Sequence, residues 1–163
     1  MYAVEPFGAP MIIRQHTQPG SSETLPISRI KINLRWDDAT DLDLHVRYRD
    51  AEVFHAKRTA EFAGVQLQFW QDVHERGVAN RFGWEYVEIL GEHLDPEACI
   101  IRINVYAAAP EPRVTVPFEL RAVVGDRIYQ RKGELPGQIG THGKQLDSTA
   151  WRTFRLSELL SQH

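Results

Sequence analysis

Residues 29–36 read Arg29-Ile30-Lys31-Ile32-Asn33-Leu34-Arg35-Trp36. Apolar side chains take every second position and polar ones the rest. A strand turns successive side chains to opposite faces, so this octet predicts a half-buried strand, apolar inside and basic-polar outside. The same period returns along the chain. Leu42, Leu44, Val46 and Tyr48 alternate with Asp43, His45 and Arg47. Val65, Leu67 and Phe69 give a third strand, and Ile101, Ile103 and Val105 lie in the Cys99–Ala107 run. Val114, Val116, Phe118, Leu120 and Ala122 alternate with Thr115, Pro117, Glu119 and Arg121. Ile128 and Gln130 follow Gly125-Asp126 as a hairpin return does. Ala150–Leu156 is the last strand candidate. Pro117 has no N–H for a ladder and predicts an edge position or a bulge. Leu156–Leu160 fits a short helical turn with Ser157 as its cap.

Strands divided by Pro, Gly and Asp turns, with no alternating helices, argue against a parallel α/β sheet. They predict an all-β chain, an antiparallel β-sandwich of jelly-roll or immunoglobulin-like type. Trp36, Leu44, Val46, Leu67, Ile103, Val105, Phe118 and Phe154 are its expected core. A register slip of one residue would turn all of them outward.

The chain has 163 residues, 42% of them hydrophobic, which suits one domain with its own core. Its 19 basic and 22 acidic residues give a net charge of -3, which argues against a polycationic nucleic-acid binder. The one cysteine, Cys99, excludes an internal disulfide framework and a Cys-based zinc cluster. It reads as a small buried hydrophobe. No run is long and apolar enough to span a bilayer. Met1–Gly8 lacks a basic segment followed by an apolar one, so no secretory signal is visible; synthesis in the cytoplasm is the expectation.

Residues 1–28 form an extended arm, with Pro6, Pro10, Pro19 and Pro26 breaking any period. Residues 29–156 form the sandwich and 157–163 a tail. The arm's large apolar groups, Tyr2, Val4, Phe7, Met11, Ile12 and Ile13, are bunched near its start. Ordering each residue costs about 1–2 kcal/mol, so a fixed arm needs contacts elsewhere. Met11-Ile12-Ile13 suits a strand added to the sheet edge of another subunit. A second long loop, Leu135–Thr149, carries Gly137, Gly140 and Gly143.

The densest polar feature is Asp37-Asp38-Ala39-Thr40-Asp41-Leu42-Asp43, with four carboxylates in seven residues. Like charges this close want a cation, a basic partner or a raised pKa. Asp37, Asp38, Asp41 and Asp43 are therefore candidate calcium ligands. They are equally turn residues that bond their own backbone. Asp41, Asp43 and His45 share a strand face. His45 and His55 can meet across a hairpin with Asp43 beside them, a two-His, one-carboxylate set that a metal-dependent hydrolase uses. The competing reading is a buried His45 bonded to a backbone carbonyl.

Trp36-Asp37 followed by Asp41-Leu42-Asp43-Leu44-His45-Val46 resembles the opening motif of the YfaP-like family of bacterial β-sandwich domains. Gly83-Trp84-Glu85-Tyr86-Val87-Glu88-Ile89 is similar to its Gly-x-Glu-x-Ile segment. Tyr129, Gly133-Glu134-Leu135 and Trp151-Arg152-Thr153-Phe154 resemble its closing hairpin. The likeness covers residues 29–156. It departs at Gly64–Asp72, where Gln66 and Gln68 stand in place of charge and weaken an inherited calcium site. The resemblance implies the fold and a binding or assembly role.

Phe69, Trp70, Phe82, Trp84 and Tyr86 gather with Arg76 and Arg81 in one stretch. One of Phe69 and Trp70 must point outward. The outward one, with Trp84, is the candidate contact surface for a protein, a sugar ring or a base. The sequence thus predicts a non-catalytic interaction module, a structural subunit of a virion-like, tail-like or cell-surface assembly. A calcium-dependent carbohydrate- or ligand-binding module and a metal-dependent hydrolase are the alternatives.

Overall fold

The computed structural model describes residues 25–26, 29–74, 83–144 and 148–161. The strands are β1 (Leu25–Pro26), β2 (Arg29–Trp36), β3 (Asp41–Tyr48), β4 (Ala51–Val53), β5 (Thr59–Phe62) and β6 (Val65–His74). They continue as β7 (Gly83–Leu90), β8 (His93–Leu94), β9 (Cys99–Ala107), β10 (Thr115–Val124), β11 (Arg127–Pro136) and β12 (Trp151–Arg155). A 3-10 turn at Ser148–Ala150 precedes β12, and helix α1 (Leu156–Leu160) follows it. Among the described residues no helix is long and apolar enough to cross a membrane.

All pairings among the described residues are antiparallel. One sheet has six strands in the order β11-β10-β2-β7-β6-β5, and the second has four in the order β12-β9-β3-β4. The short pair β1-β8 sets Leu25 against Leu94, so the last described residues of the arm region lie on the chain's own strand. The inward stripes of both large sheets join in one core: Ile30, Ile32, Leu34 and Trp36 from β2, Leu42, Leu44 and Val46 from β3, Ile101, Ile103 and Val105 from β9. Two antiparallel sheets sharing a core make an all-β sandwich. The eight residues expected inside are each 8% exposed or less, so the alternation gave the right face throughout. Each buried Leu, Ile or Val contributes about 1.5–3 kcal/mol.

Two local expectations are corrected. Pro117 sits on β10, which lies between β11 and β2, so it is on neither an edge strand nor a bulge. β2 ends at Trp36 opposite Phe118, one residue short of Pro117, so the proline needs no partner on that side. The cap of α1 is Arg155, not Ser157: the Arg155 N–H donates to Glu158 Oε2 at 3.1 Å. Ser157 lies inside the helix, where its N–H reaches Pro96 O at 3.2 Å. The core also takes in Leu156 and Leu159 of α1.

Candidate functional site

The acidic loop spends its carboxylates separately. Asp37 is exposed. Asp38 Oδ1 accepts the Thr40 N–H at 2.8 Å and also the Thr40 hydroxyl, while Oδ2 lies 3.7 Å from Arg113. Trp36 Nε1 donates to Thr40 O at 2.6 Å and closes the loop. Asp41 opens β3, and Asp43, 4% exposed, sits 3.5 Å from His55 Nδ1. Asp38 thus acts as a turn residue. Among the described residues no group of three or more His, Cys, Asp or Glu is placed to hold a metal ion.

The outer face of the four-stranded sheet holds a different cluster. Alternation turns Asp43 and His45 away from the core, yet His45 is only 9% exposed. A sheet face facing water does not bury such groups, so other side chains cover them. The His45 ring stacks on Phe54 at 4.6 Å with an interplanar angle of 4°, and Trp151 meets it edge-on at 5.2 Å. Phe54 meets His55 at 5.7 Å, His55 meets Tyr106 at 5.7 Å, and Tyr106 meets His142 at 5.5 Å. A chain of six rings therefore runs from β12 to the 137–144 loop. Tyr106 joins it through a bulge. Asp41 pairs with Ala107 but Leu42 pairs with Val105, which leaves Tyr106 as the extra residue of β9.

The imidazoles are held by carboxylates. His45 Nδ1 lies 3.4 Å from Glu52 Oε1, and His55 Nδ1 lies 3.5 Å from Asp43. The expected trio is thus split: the structure brings Asp43 to His55 but turns His45 to Glu52. A carboxylate, not a backbone carbonyl, is the partner of His45. Two-residue turn geometry explains this, since Tyr48 pairs with Ala51 and carries Glu52 to the row of Arg47. Next to the pair, Asn104 is fully buried and its Oδ1 accepts the Thr141 hydroxyl at 2.6 Å. Arg102 lies over the Trp151 ring at 4.3 Å, and burial pulls its guanidinium down from its ordinary value.

The hydrogen bond from His45 holds the Glu52 carboxyl below its usual 4.5, against the opposing effect of burial. A carboxylate whose pKa falls on folding adds stability above its unfolded pKa. That stability disappears as pH falls through the folded value. Glu52→Gln is expected to lower stability at pH 7 by about 1 kcal/mol or less, because the pair is partly solvated. The gap between wild type and variant should be full at pH 7, start to shrink as pH falls through about 4.5, and vanish at a pH below the lowered folded-state value. Urea midpoints at pH 7 and at that low pH check this. An equal gap at both would assign the effect to packing.

The outer face of the six-stranded sheet carries the aromatic residues. Phe69 is buried at 1% and Trp70 is 54% exposed. Phe69 pairs with Val87 and Gln71 with Tyr86, so Trp70 is the extra residue of a bulge in β6. Its Nε1 donates to Glu88 Oε2 at 2.8 Å, and Glu88 Oε1 lies 3.0 Å from Arg29 Nε. Trp84 and Tyr86 on β7 stand parallel, with centroids 6.1 Å apart. Burial, then the hydrogen bond with Glu88, pushes the Tyr86 hydroxyl up to about 12. Arg35 and Asn33 of β2 lie opposite Trp84 and Tyr86.

Tyr2, Phe7, Met11, Ile12 and Ile13, and also Arg76, Arg81 and Phe82, lie outside the described residues. Sequence reasoning passed over Glu52, Glu88, Asn104 and Tyr106, whose roles depend on cross-strand register. Comparison with family models, with curated proteins and with solved structures finds no match to this chain.

Proposed function

We propose that this chain is a non-catalytic β-sandwich binding module, a subunit of a larger protein assembly. It meets its neighbour through the outer face of the six-stranded sheet. The observation that carries this reading is Trp70. Among the described residues it is the most exposed large aromatic, it sits on a bulge, and its indole is tethered to Glu88. A fixed indole loses little rotamer freedom on binding. Trp, Tyr and Arg dominate the energetics of protein interfaces; here Arg29 shares Glu88 with Trp70, and Trp84, Tyr86 and Arg35 lie farther along the same sheet. The resemblance to YfaP-like domains supports a binding or assembly role. The histidines support a structural reading of the other face, since His45 is covered by rings and tied to Glu52. In this proposal the arm adds Met11-Ile12-Ile13 to a neighbour's sheet edge.

Light scattering at rising protein concentration tests it. The wild type should self-associate, and Trp70→Ala should weaken association at least about thirtyfold, the loss of a hot spot. The variant should still fold, with at most a small loss of melting temperature, because over half of the side chain faces solvent and Glu88 keeps Arg29. A wild type that is monomeric throughout, or a Trp70→Ala variant that associates normally, sinks the assembly reading. The second reading, a carbohydrate-binding module, rests on the parallel Trp84 and Tyr86 rings beside Asn33 and Arg35. Glycan binding by a monomer, lost in Trp70→Ala, would put it first.

A further inference from the structure

At the far end of the ring chain lies a cavity of about 410 Å³ between the ends of β10 and β11 and the 137–144 loop. Val114, Pro136, Ile139, Thr141, His142 and Lys144 line it. The volume lies in the range of small-molecule sites, roughly 300–1,000 Å³. We propose that it binds a small amphiphilic anion, a free carboxylate with a hydrocarbon body. This rests on none of the residues of the assembly surface.

The wall of the cavity is already in place. Gly137 N–H donates to Val114 O at 3.1 Å, Thr141 N–H to Val105 O at 2.7 Å, and His142 N–H to Tyr106 O at 3.0 Å. The Thr141 hydroxyl adds its bond to the buried Asn104, and Trp151 Nε1 donates to Lys144 O at 3.3 Å. The loop lies flat on β9: a Cβ at Gly140 would sit 2.5 Å from Tyr106 O, so only glycine fits there. His142 is held at φ 48°, a left-handed conformation that costs a non-glycine residue about 1–3 kcal/mol. Its ring packs on Tyr106, so the chain of rings fixes both backbone and imidazole at the opening. Pre-organisation of this kind removes the ordering cost that a flexible loop pays on binding.

The chemistry of the lining selects the ligand. Val114 is 72% exposed and Ile139 is 79% exposed, so two branched apolar side chains stand in solvent beside the cavity. They offer surface that a hydrocarbon would remove from water. Among the described residues no carboxylate lines the cavity, while Lys144 and His142 do. Lys144 is in no ion pair with another described residue. An ammonium and an imidazole N–H on one side, with Val114, Pro136 and Ile139 on the other, match a carboxylate head and an alkyl body. A cationic amphiphile would meet Lys144 with like charge.

Octanoate and octylammonium are matched probes of this assignment. Calorimetric or NMR titration of the full chain should give saturable octanoate binding, at least tenfold tighter than octylammonium. Lys144→Ala and Ile139→Ser should each weaken octanoate at least tenfold. Both side chains are exposed, so the melting temperatures of the variants should match the wild type and confirm that they fold. Absence of saturable octanoate binding overturns the proposal, as does equal binding of octylammonium. So does either folded variant that binds octanoate like the wild type.

Discussion

Gly83→Ala is expected to cost about 3 kcal/mol, the upper end for overpacking a core. In a chain of this size that lowers the melting temperature by about 10 °C. A Cβ built at Gly83 would sit 1.8 Å from Trp36 Cζ2 and 1.9 Å from Cε2. The obstacle is a rigid indole, 2% exposed, not the end of a flexible chain. Nor can the ring swing aside freely, because its Nε1 is bonded to Thr40 O at 2.6 Å and closes the acidic loop. Relieving the clash therefore means moving β7 away from β2, or giving up the bond that holds the loop. The two residues face each other across the β2–β7 ladder. In a Trp36→Leu background, Gly83→Ala should cost far less, a coupling that a double-mutant cycle isolates. If Gly83→Ala lies within about 0.5 kcal/mol of the wild type, the size of an ordinary surface change, the indole does not occupy this place.

The alternation that makes β2 readable works because one face of each strand is buried and the other is not. Where a strand departs from that rule, the sequence is silent. β7 is central in its sheet, yet its inward positions are Glu85, Val87 and Ile89, and the glutamate breaks the apolar stripe. β4, β5 and β8 have three, four and two residues, too few to show a period. The bulge at Trp70 has no local signature. It depends on how β6 meets β7, which is a property of the pair.

The site was partly legible for the same reason. Parity along β3 and the nearness of a hairpin placed Asp43, His45 and His55 in one neighbourhood. The choice between partners was not legible. Glu52 reaches His45 because the turn after Tyr48 has two residues, with Arg49 at φ 54°. Tyr106 reaches His55 because β9 carries an extra residue. Asp38 illustrates the limit from the other side. Four nearby carboxylates suggest a cation, but a bond to the residue two places on gives an aspartate a full role within its own turn.

Glu85 yields the second large effect. Its carboxylate is 1% exposed, and its Oε2 accepts the Leu44 N–H at 2.5 Å across the sandwich. The need for it follows from the topology. β4 pairs with β3 only from Val46 to Tyr48, so no strand lies beside Leu44 on that side. A buried amide without an acceptor costs about 1–3 kcal/mol. Glu85→Ala removes the acceptor and also empties the space of the side chain, so a total loss of about 3 kcal/mol is expected. Glu85→Leu separates the two contributions. It refills the volume but cannot accept, and the backbone N–H of Leu44 cannot be mutated away. Replacing both partners of a buried polar pair by apolar groups is often neutral, but here only one partner is replaceable, so Glu85→Leu should still lose about 1–2 kcal/mol. Glu85→Gln keeps an amide oxygen of similar reach and should fall between the wild type and Glu85→Leu. Urea midpoints at constant m-value rank the four proteins. A Glu85→Leu variant as stable as the wild type would show that the bond to Leu44 does not hold β3 against β7, and that the glutamate is buried for some other reason.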